Sequence, residues 1–144
     1  QEKEVFMFNN SMENKIINLA TMSLDAAQKR KEVIANNIAN VDTPYYKRQE
    51  VVFESEMKKA IDSENISETH TNMTDPRHID FNTSMDYKNV KSRINVEFDS
   101  NYRNDKNNVD IEKEITDEIK NTLRYRALIN IINRDFQRID GVMK

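Results

Sequence analysis

The architecture of this protein follows from one stretch of its sequence, Ala35-Asn36-Asn37-Ile38-Ala39-Asn40-Val41-Asp42-Thr43-Pro44. The ring of Pro44 disfavours α geometry at Thr43, so a helix that enters this stretch should end near residues 40–42. Ahead of it, apolar residues recur at steps of three and four, which indicates a helix that packs against a second helix. They are Ile17, Ala20, Leu24, Ala27, Ile34, Ile38 and Val41, with Lys31 interrupting the row. We predict an N-terminal helix over residues 12–42, after a flexible arm over residues 1–11.

Three asparagines lie at the end of this helix, at Asn36, Asn37 and Asn40. Asparagine is a poor helix former because its amide competes with the backbone for hydrogen bonds. The amides could cap the helix and form the following turn, or they could bond to a neighbouring subunit. The sequence leaves both roles open.

The C-terminal part of the chain carries a second apolar pattern of the same kind. A long helix is predicted over residues 109–144, with Asp110 as its N-cap. Glu112 and Glu114 fall in the first turn, where the helix dipole favours negative charge. The predicted apolar seam consists of Ile111, Ile115, Tyr125, Ile129, Ile132, Phe136, Ile139 and Met143, with Ile119 and Leu123 beside it.

Residues 43–108 are predicted to form a small, polar, partly β insert between the helices. Ile94, Val96 and Phe98 alternate with polar residues, which predicts a half-buried strand, and residues 46–53 are its candidate partner. A brief helix is expected over residues 54–61. The predicted fold class is mainly α: long N- and C-terminal helices pair as an antiparallel, coiled-coil-like hairpin that carries this insert.

Composition excludes several classes of function. Hydrophobic residues make up 37% and charged residues 33% of the 144 residues, and this is lean for a compact globule. An elongated protein that buries its remaining apolar surface against partner molecules fits these proportions of hydrophobic and charged residues better. The net charge of −3 gives no reason to expect nucleic acid. No apolar run approaches the roughly 20 residues that span a bilayer, and no signal-peptide pattern is present, so no direct membrane insertion is expected.

Catalytic and metal-binding chemistry finds little support. The single glycine rules out a glycine-rich phosphate loop, and the lack of cysteine removes disulfides, thiolate metal sites and cysteine nucleophiles. His78 lies between Asp75 and Asp80, but a closed zinc site requires four protein ligands, and a surface histidine is the simpler interpretation. We predict no enzyme, no metal and no cofactor.

The sequence resembles the axial proteins of the bacterial flagellum, which build its rod and hook. The motifs that carry the resemblance are Leu24-Asp25, Arg30, Val33-Ile34-Ala35-Asn36-Asn37-Ile38-Ala39-Asn40, Asp42-Thr43-Pro44-Tyr45-Tyr46-Lys47-Arg48, Phe53-Glu54 and residues 105–114, continuing through Asn121, Tyr125 and Leu128. Glycine is usual in that family where this chain has Tyr45 and Lys106. Because glycine in turns commonly serves a positive φ, the local conformation at these two positions is open.

The resemblance implies a structural subunit of the proximal rod, which links the membrane ring and export gate to the rest of the rod and transmits torque. The implied partners are further copies, other rod proteins, the membrane-ring protein, a rod–ring adaptor and the type III export apparatus. The implied location is the basal body, on the periplasmic side of the cell envelope, reached without a cleaved signal. The short chain and small insert favour the proximal rod over the hook or distal rod.

The same resemblance assigns roles to individual residues. Packing within the hairpin and between subunits is expected from Leu24, Ile34, Ile38, Ile115, Tyr125, Ile129, Ile132 and Phe136. The helix-to-insert junction is expected to depend on Asn37, Asn40, Thr43 and Pro44. Phe53 and Met57 fit either local packing, which is favoured, or a motif that the export gate reads. The alternative function is a soluble helical-hairpin adaptor or export chaperone that stays in the cytoplasm.

Overall fold

The computed structural model describes residues 12–64, 85–98 and 104–142. The predicted arm and the segment around His78 lie outside the described residues. The elements, in chain order, are α1 (Met12–Ala39), β1 (Gln49–Val52), α2 (Glu54–Glu64), a 3₁₀ helix (Tyr87–Asn89), β2 (Arg93–Val96) and α3 (Ile111–Val142). The predicted fold class, mainly helical with a small β-containing insert, is confirmed.

The two long helices form an antiparallel hairpin. Asn37, near the end of α1, contacts Glu114 at the start of α3, and Ala27 contacts Asn121 further along α3. Small residues on α1 allow this approach, since Ala20, Ala26 and Ala27 are all buried. Hairpin formation therefore depends on close backbone packing as well as on branched apolar side chains such as Ile34.

The face of α3 that packs against α1 coincides only in part with the predicted seam. Its buried side chains are polar: Glu114, Asn121 and Asp135, spaced by seven and fourteen residues. Residues seven apart share one face of a helix, whereas adjacent residues differ by about 100°. Among the predicted seam residues, Ile115 lies about 100° around the helix from Glu114 and is 46% exposed, whereas Tyr125 and Ile132 lie on the same face as Glu114. Tyr125 and Phe136 are 37% and 53% exposed. Ile129 and Ile132, like Leu24 and Ile38 of α1, are half-buried.

The insert contains a two-stranded sheet in which β1 pairs with β2, as predicted. The backbone N–H of Glu97, just after β2, donates to the carbonyl of Arg48, just before β1, at 2.8 Å, so the strands are antiparallel. The expected half-burial is wrong at two of the three predicted apolar positions, Ile94 and Phe98. Ile94 is 41% exposed and Phe98, which lies beyond the strand, is 75% exposed.

The described residues divide into two compact units. The first comprises residues 12–51, 94–98 and 104–142, and the second comprises residues 52–64 and 85–93. In the second unit α2 packs on the 3₁₀ helix, and Phe53 and Met57 are buried. This burial agrees with their packing role; the export-gate role stays a prediction.

Candidate functional site

Asn37 lies at the centre of the helix-to-insert junction and is fully buried. Its Nδ2 donates to the carbonyl of Gln49 at 2.8 Å and to Oε2 of Glu114 at 3.0 Å. Its Oδ1 accepts from the backbone N–H of Gln49 at 3.0 Å and from the hydroxyl of Tyr46 at 3.2 Å. These four bonds use the full capacity of the amide. The side chain thus fastens α1, β1 and α3 together and has nothing left for a neighbouring subunit.

Arg48 and Glu114 form the charged part of the junction. Arg48 is 5% exposed, and its Nε donates to Oε1 of the fully buried Glu114 at 2.5 Å. The rest of the guanidinium reaches Glu97 at 3.0 Å, Asp117 at 3.3 Å and Glu50 at 3.5 Å. A buried ion pair persists only when geometry and added hydrogen bonds offset its desolvation. Here Asn37 and Arg48 together satisfy both carboxylate oxygens of Glu114.

Two pKa values report this environment. Burial raises the pKa of the Tyr46 phenol, and the negative charge of Glu114 raises it further, so the hydroxyl stays protonated as a donor to Asn37. For Arg48, burial acts to lower the pKa, but hydrogen bonds to Glu114 and Glu97 and the nearby carboxylate charges outweigh it and raise the pKa overall. The guanidinium of Arg48 is therefore permanently charged inside the fold.

The side chain of Asn107, in the loop before α3, caps the C-terminal end of α1. It is fully buried, and its Nδ2 lies 2.9, 3.0 and 2.9 Å from the carbonyl oxygens of Asn40, Val41 and Thr43. Its Oδ1 accepts from the backbone N–H of Val109 at 2.8 Å. Carbonyls at a helix C-terminus have no partner within the helix, so this side chain supplies one.

The turn after α1 is built by Asn40 and Thr43. Asn40 Nδ2 donates to the carbonyl of Asn36 at 2.8 Å, and Asn40 Oδ1 accepts from the Thr43 hydroxyl at 3.2 Å. The Thr43 N–H donates to the carbonyl of Asn40 at 3.0 Å, and the exposed Pro44 follows. Of the two roles considered for Asn40, the structure shows the capping and turn-forming one.

Tyr45 and Lys106 are left-handed, with φ of 64° and 59°. Both replace the glycine usual in the resembled family, so the backbone conformation that glycine serves is kept. The Tyr45 N–H donates to the carbonyl of Asp105 at 2.9 Å, and the Lys106 ammonium lies 5.8 Å from the Tyr45 ring centroid. That distance is within the range of a cation–π contact. The two strained residues thus support one another across the junction.

A cavity of about 410 Å³ lies between α1 and α3, about two turns from the junction. We call it the interhelical cavity; its walls include Ala27, Lys31, Glu32, Asn121 and Tyr125. Asn121 Nδ2 donates to the carbonyl of Ala27 at 2.8 Å. Asn121 Oδ1 is the buried side-chain atom that, across the described parts of the chain, has no hydrogen-bond partner.

An exposed apolar row lies on α3 outside the buried side chains that face α1. Ile111, Ile115, Ile119 and Leu123 are 44%, 46%, 58% and 61% exposed, and we call them the outer ridge. Their spacing of four residues places them in one row along the helix.

Sequence reasoning located part of this site. It singled out Asn37, Asn40, Thr43 and Pro44, which the structure brings together, and the predicted N-cap is confirmed because Asp110 Oδ1 accepts from the N–H of Glu112 at 3.0 Å. It missed four buried polar residues, and for Glu114 it gave only the helix-dipole role. A signal was present, since Glu114 and Asn121 lie one heptad apart. The missed residues are Arg48, Asn107, Glu114 and Asn121.

Residues 12–64, 85–98 and 104–142 contain no group of three histidine or acidic side chains placed to hold a metal. Within those residues no helix is long and apolar enough to cross a membrane.

Comparison with known proteins identifies the class. Residues 17–47 match the sequence profile of the family described as flagella basal body rod protein. Over 128 residues the chain is 36% identical to the flagellar basal body rod protein FlgB of Borrelia hermsii, covering 89% of this chain and 95% of that one. It is 37% identical to FlgB of Bacillus subtilis over 122 residues, covering 84% and 87% of the two chains. FlgB of Borreliella burgdorferi is 33% identical over 121 residues, covering 84% and 90%.

The hairpin, the junction and these matches define a structural protein of the flagellar basal body rod. Each of these three relatives is a FlgB protein that matches at 33% identity or more over at least 87% of its own length. The chain belongs to the FlgB family.

Proposed function

We propose that this chain is a subunit of the proximal rod, which links the membrane ring and export gate to the rest of the rod and transmits torque. The observation that carries this proposal is the second apolar face of α3. The outer ridge is exposed although the hairpin has already formed, so a further surface is needed to bury it. Side-by-side packing of hairpins in a rod wall supplies such a surface.

Torque transmission gains support from the junction. A part that carries torque must resist internal deformation, and Asn37, Arg48 and Glu114 hold α1, β1 and α3 together by buried, fully satisfied contacts. Buried polar networks in which every member is satisfied rigidify a structure. In this proposal the partners are further copies, other rod proteins, the membrane-ring protein and the rod–ring adaptor. The subunit reaches the periplasmic side through the type III export apparatus without a cleaved signal.

The test is mass spectrometry of purified basal bodies after hook and filament have been removed. The proposal expects the chain there, in fixed proportion to the ring and other rod proteins. The alternative, a cytoplasmic adaptor or export chaperone, expects it in the soluble cell fraction alone, and that result would overturn the rod assignment. A chain that is only retained in the export apparatus would instead give a ratio of this chain to the ring proteins that varies between preparations.

A further inference from the structure

The outer edge of β1 is closed by side chains of α1. In an antiparallel pair, the backbone N–H and C=O groups of alternate residues point toward the partner strand and away from it. The carbonyl of Arg48 bonds to the residue that follows β2, so the backbone groups of Gln49 and Val51 point away from β2. The Asn37 amide bonds both backbone groups of Gln49, and Arg30 donates to the carbonyl of Val51 at 3.3 Å. No further strand can therefore pair with β1 on this side.

The outer edge of β2 is open. Because the N–H of Glu97 donates to Arg48, the backbone groups of Ile94 and Val96 point away from β1. Within the described residues β1 is the one strand beside β2, and no hydrogen bond from those residues reaches the outward groups of Ile94 and Val96. Ile94 is 41% exposed, and Phe98, just beyond the strand, is 75% exposed. An exposed edge with apolar side chains and no proline is a template for pairing with another strand.

The sequence across β2 is complementary to itself when it is read in the opposite direction. Residues 91–99 have the sequence KSRINVEFD, centred on Asn95. When two β2 strands lie antiparallel with Asn95 opposite Asn95, Arg93 of each copy faces Glu97 of the other, and Ile94 faces Val96. Opposite charges and apolar side chains placed directly across two strands stabilise their pairing, and like charges destabilise it. The charges of the strand thus favour a second copy of the same strand.

This register also satisfies the outward backbone groups of β2. Ile94 and Val96 of opposite copies each point their N–H and C=O toward the other strand, so each such pair exchanges two hydrogen bonds, and two-fold symmetry repeats the exchange. Arg93 is exposed and makes no ion pair in the described part of the chain. The side chain of Glu97 is 39% exposed and contacts Arg48 through Oε2. Both charged residues are therefore accessible to another copy.

We propose that two copies of the free chain pair through the outer edges of β2 and join their sheets into one sheet of four strands. The same surface meets itself, so the contact is isologous and closes as a pair, unlike contacts that repeat along a filament. Pairing along so short an edge buries less than the roughly 1,200 Å² of the smallest stable interfaces, so the pair forms at high chain concentration. It covers an edge that would otherwise template aggregation of the free chain. The inference concerns the chain in solution and does not rest on the proposed function.

The first test uses the absence of native cysteine. In the proposed register the two Asn95 residues form a non-hydrogen-bonded pair with Cα atoms about 4.5 Å apart, a separation that a disulfide spans. The purified full chain with Asn95→Cys, placed in a glutathione redox buffer, should therefore form a disulfide-linked species of twice the chain mass. Its yield should exceed by about tenfold that of Asn36→Cys, an exposed asparagine on α1, because pairing raises the local thiol concentration. Equal yields would overturn the proposal.

The second test adds a substitution to the Asn95→Cys chain. Ile94→Pro removes an outward N–H but keeps the ladder with β1, since proline is tolerated where the N–H of an edge strand faces solvent. The yield of the disulfide-linked species should fall by about tenfold, because the pair loses two hydrogen bonds. Ile94→Thr, which keeps the N–H, should retain most of the product. A yield unaffected by Ile94→Pro, with an unchanged circular dichroism spectrum, would show that the strand edges do not pair.

A charge reversal gives a result even if Ile94→Pro unfolds the chain. Arg93→Glu in the Asn95→Cys chain places two carboxylates opposite each other at both ends of the contact, so the yield should fall by about tenfold. Lys88→Glu makes the same change in net charge at an exposed residue outside β2 and should leave the yield unchanged. Equal yields for Arg93→Glu and Lys88→Glu would overturn the proposed register.

Discussion

Buried polar side chains occur both at the junction and in the middle of the hairpin. The two regions differ in how many of the hydrogen-bonding atoms of those side chains have partners. At the junction Asn37, Arg48 and Asn107 are buried, and each has its hydrogen bonds within the chain. Two turns along the same helices, Asn121 is equally buried, and among the described residues its Oδ1 has no hydrogen-bond partner. The outer ridge beside it is apolar and exposed. The comparison teaches that paired buried polar groups specify the fold at the junction, whereas the middle of the hairpin contributes less to that specification.

The largest expected effect is on the junction. Glu114→Ala should lower the free energy of unfolding by about 3–5 kcal/mol, because Arg48 is left buried without its main partner. Urea denaturation followed by circular dichroism measures this. Glu112→Ala, an exposed acid in the same helical turn, should cost less than about 1 kcal/mol. If Glu114→Ala does not fold, Glu114→Gln supplies the measurement; equal stabilities for the Glu112 and Glu114 variants would contradict the difference between buried and exposed acids.

Removing the cap on α1 should have the next largest effect. Asn107→Ala takes away the donor shared by three backbone carbonyls, at an expected cost of about 2 kcal/mol. Hydrogen exchange should then speed up at the end of α1 before it does so in the middle of the hairpin. Asn104→Ala, at an exposed asparagine in the same loop, serves as the control. Uniform acceleration along α1 would show that Asn107 does not act as a local cap.

Replacing Tyr45, which has a left-handed backbone conformation, should change stability by an intermediate amount that depends on the new residue. Tyr45→Gly should change stability little, because relief of backbone strain offsets the lost contact with Lys106 and the greater freedom of the unfolded chain. Tyr45→Val should cost about 1–2 kcal/mol relative to Tyr45→Gly, since a β-branched residue tolerates positive φ poorly. Thermal unfolding of the two variants compares them directly. Equal stabilities would mean that the turn has relaxed out of the left-handed conformation.

The smallest effect on stability should come from the outer ridge. Ile119→Asp should change the free energy of unfolding by no more than about 0.5 kcal/mol, because the side chain is already 58% exposed. The same variant should be absent from basal bodies. Ala127→Asp, at an exposed position about two turns further along α3 and outside the ridge, is the matched control because it also adds one negative charge. A destabilised Ile119 variant, or one that assembles normally, would remove the distinction between folding and assembly surfaces.

Local sequence signals predicted the helices and strands. They did not predict the buried polar residues, because the partners of those residues are distant in the sequence. The proline after α1, the N-cap at Asp110 and the alternation in β2 are readable within a few residues, and each indicated the correct element. Arg48 and Asn107 were missed because their partners lie 66 and 67 residues away, and nothing next to them in the chain marks them as buried. Glu114 was read as a helix-dipole residue because a carboxylate in the first turn is favourable even when exposed.

The apolar seam of α3 illustrates a second limit. An apolar pattern in the sequence indicates that one face of a helix is suited to burial, but it does not indicate which neighbouring element buries that face. Ile115 and Ile119 were correctly recognised as part of an apolar face, yet α1 covers Glu114 and Asn121 instead. Distinguishing the two faces requires knowing that polar side chains at Glu114 and Asn121 have partners across the hairpin.

The wide sequence separation of the junction contacts also governs when the chain can fold. Asn37 and Glu114 are 77 residues apart, and Ala27 and Asn121 are 94 apart. Contacts that close such long loops form slowly, since the entropy of closure must be lost before any contact compensates for it. A chain delivered from its N-terminus onward cannot complete the hairpin until most of its length has arrived. The contacts that hold the finished hairpin together are therefore absent while the chain is still being synthesised from its N-terminus.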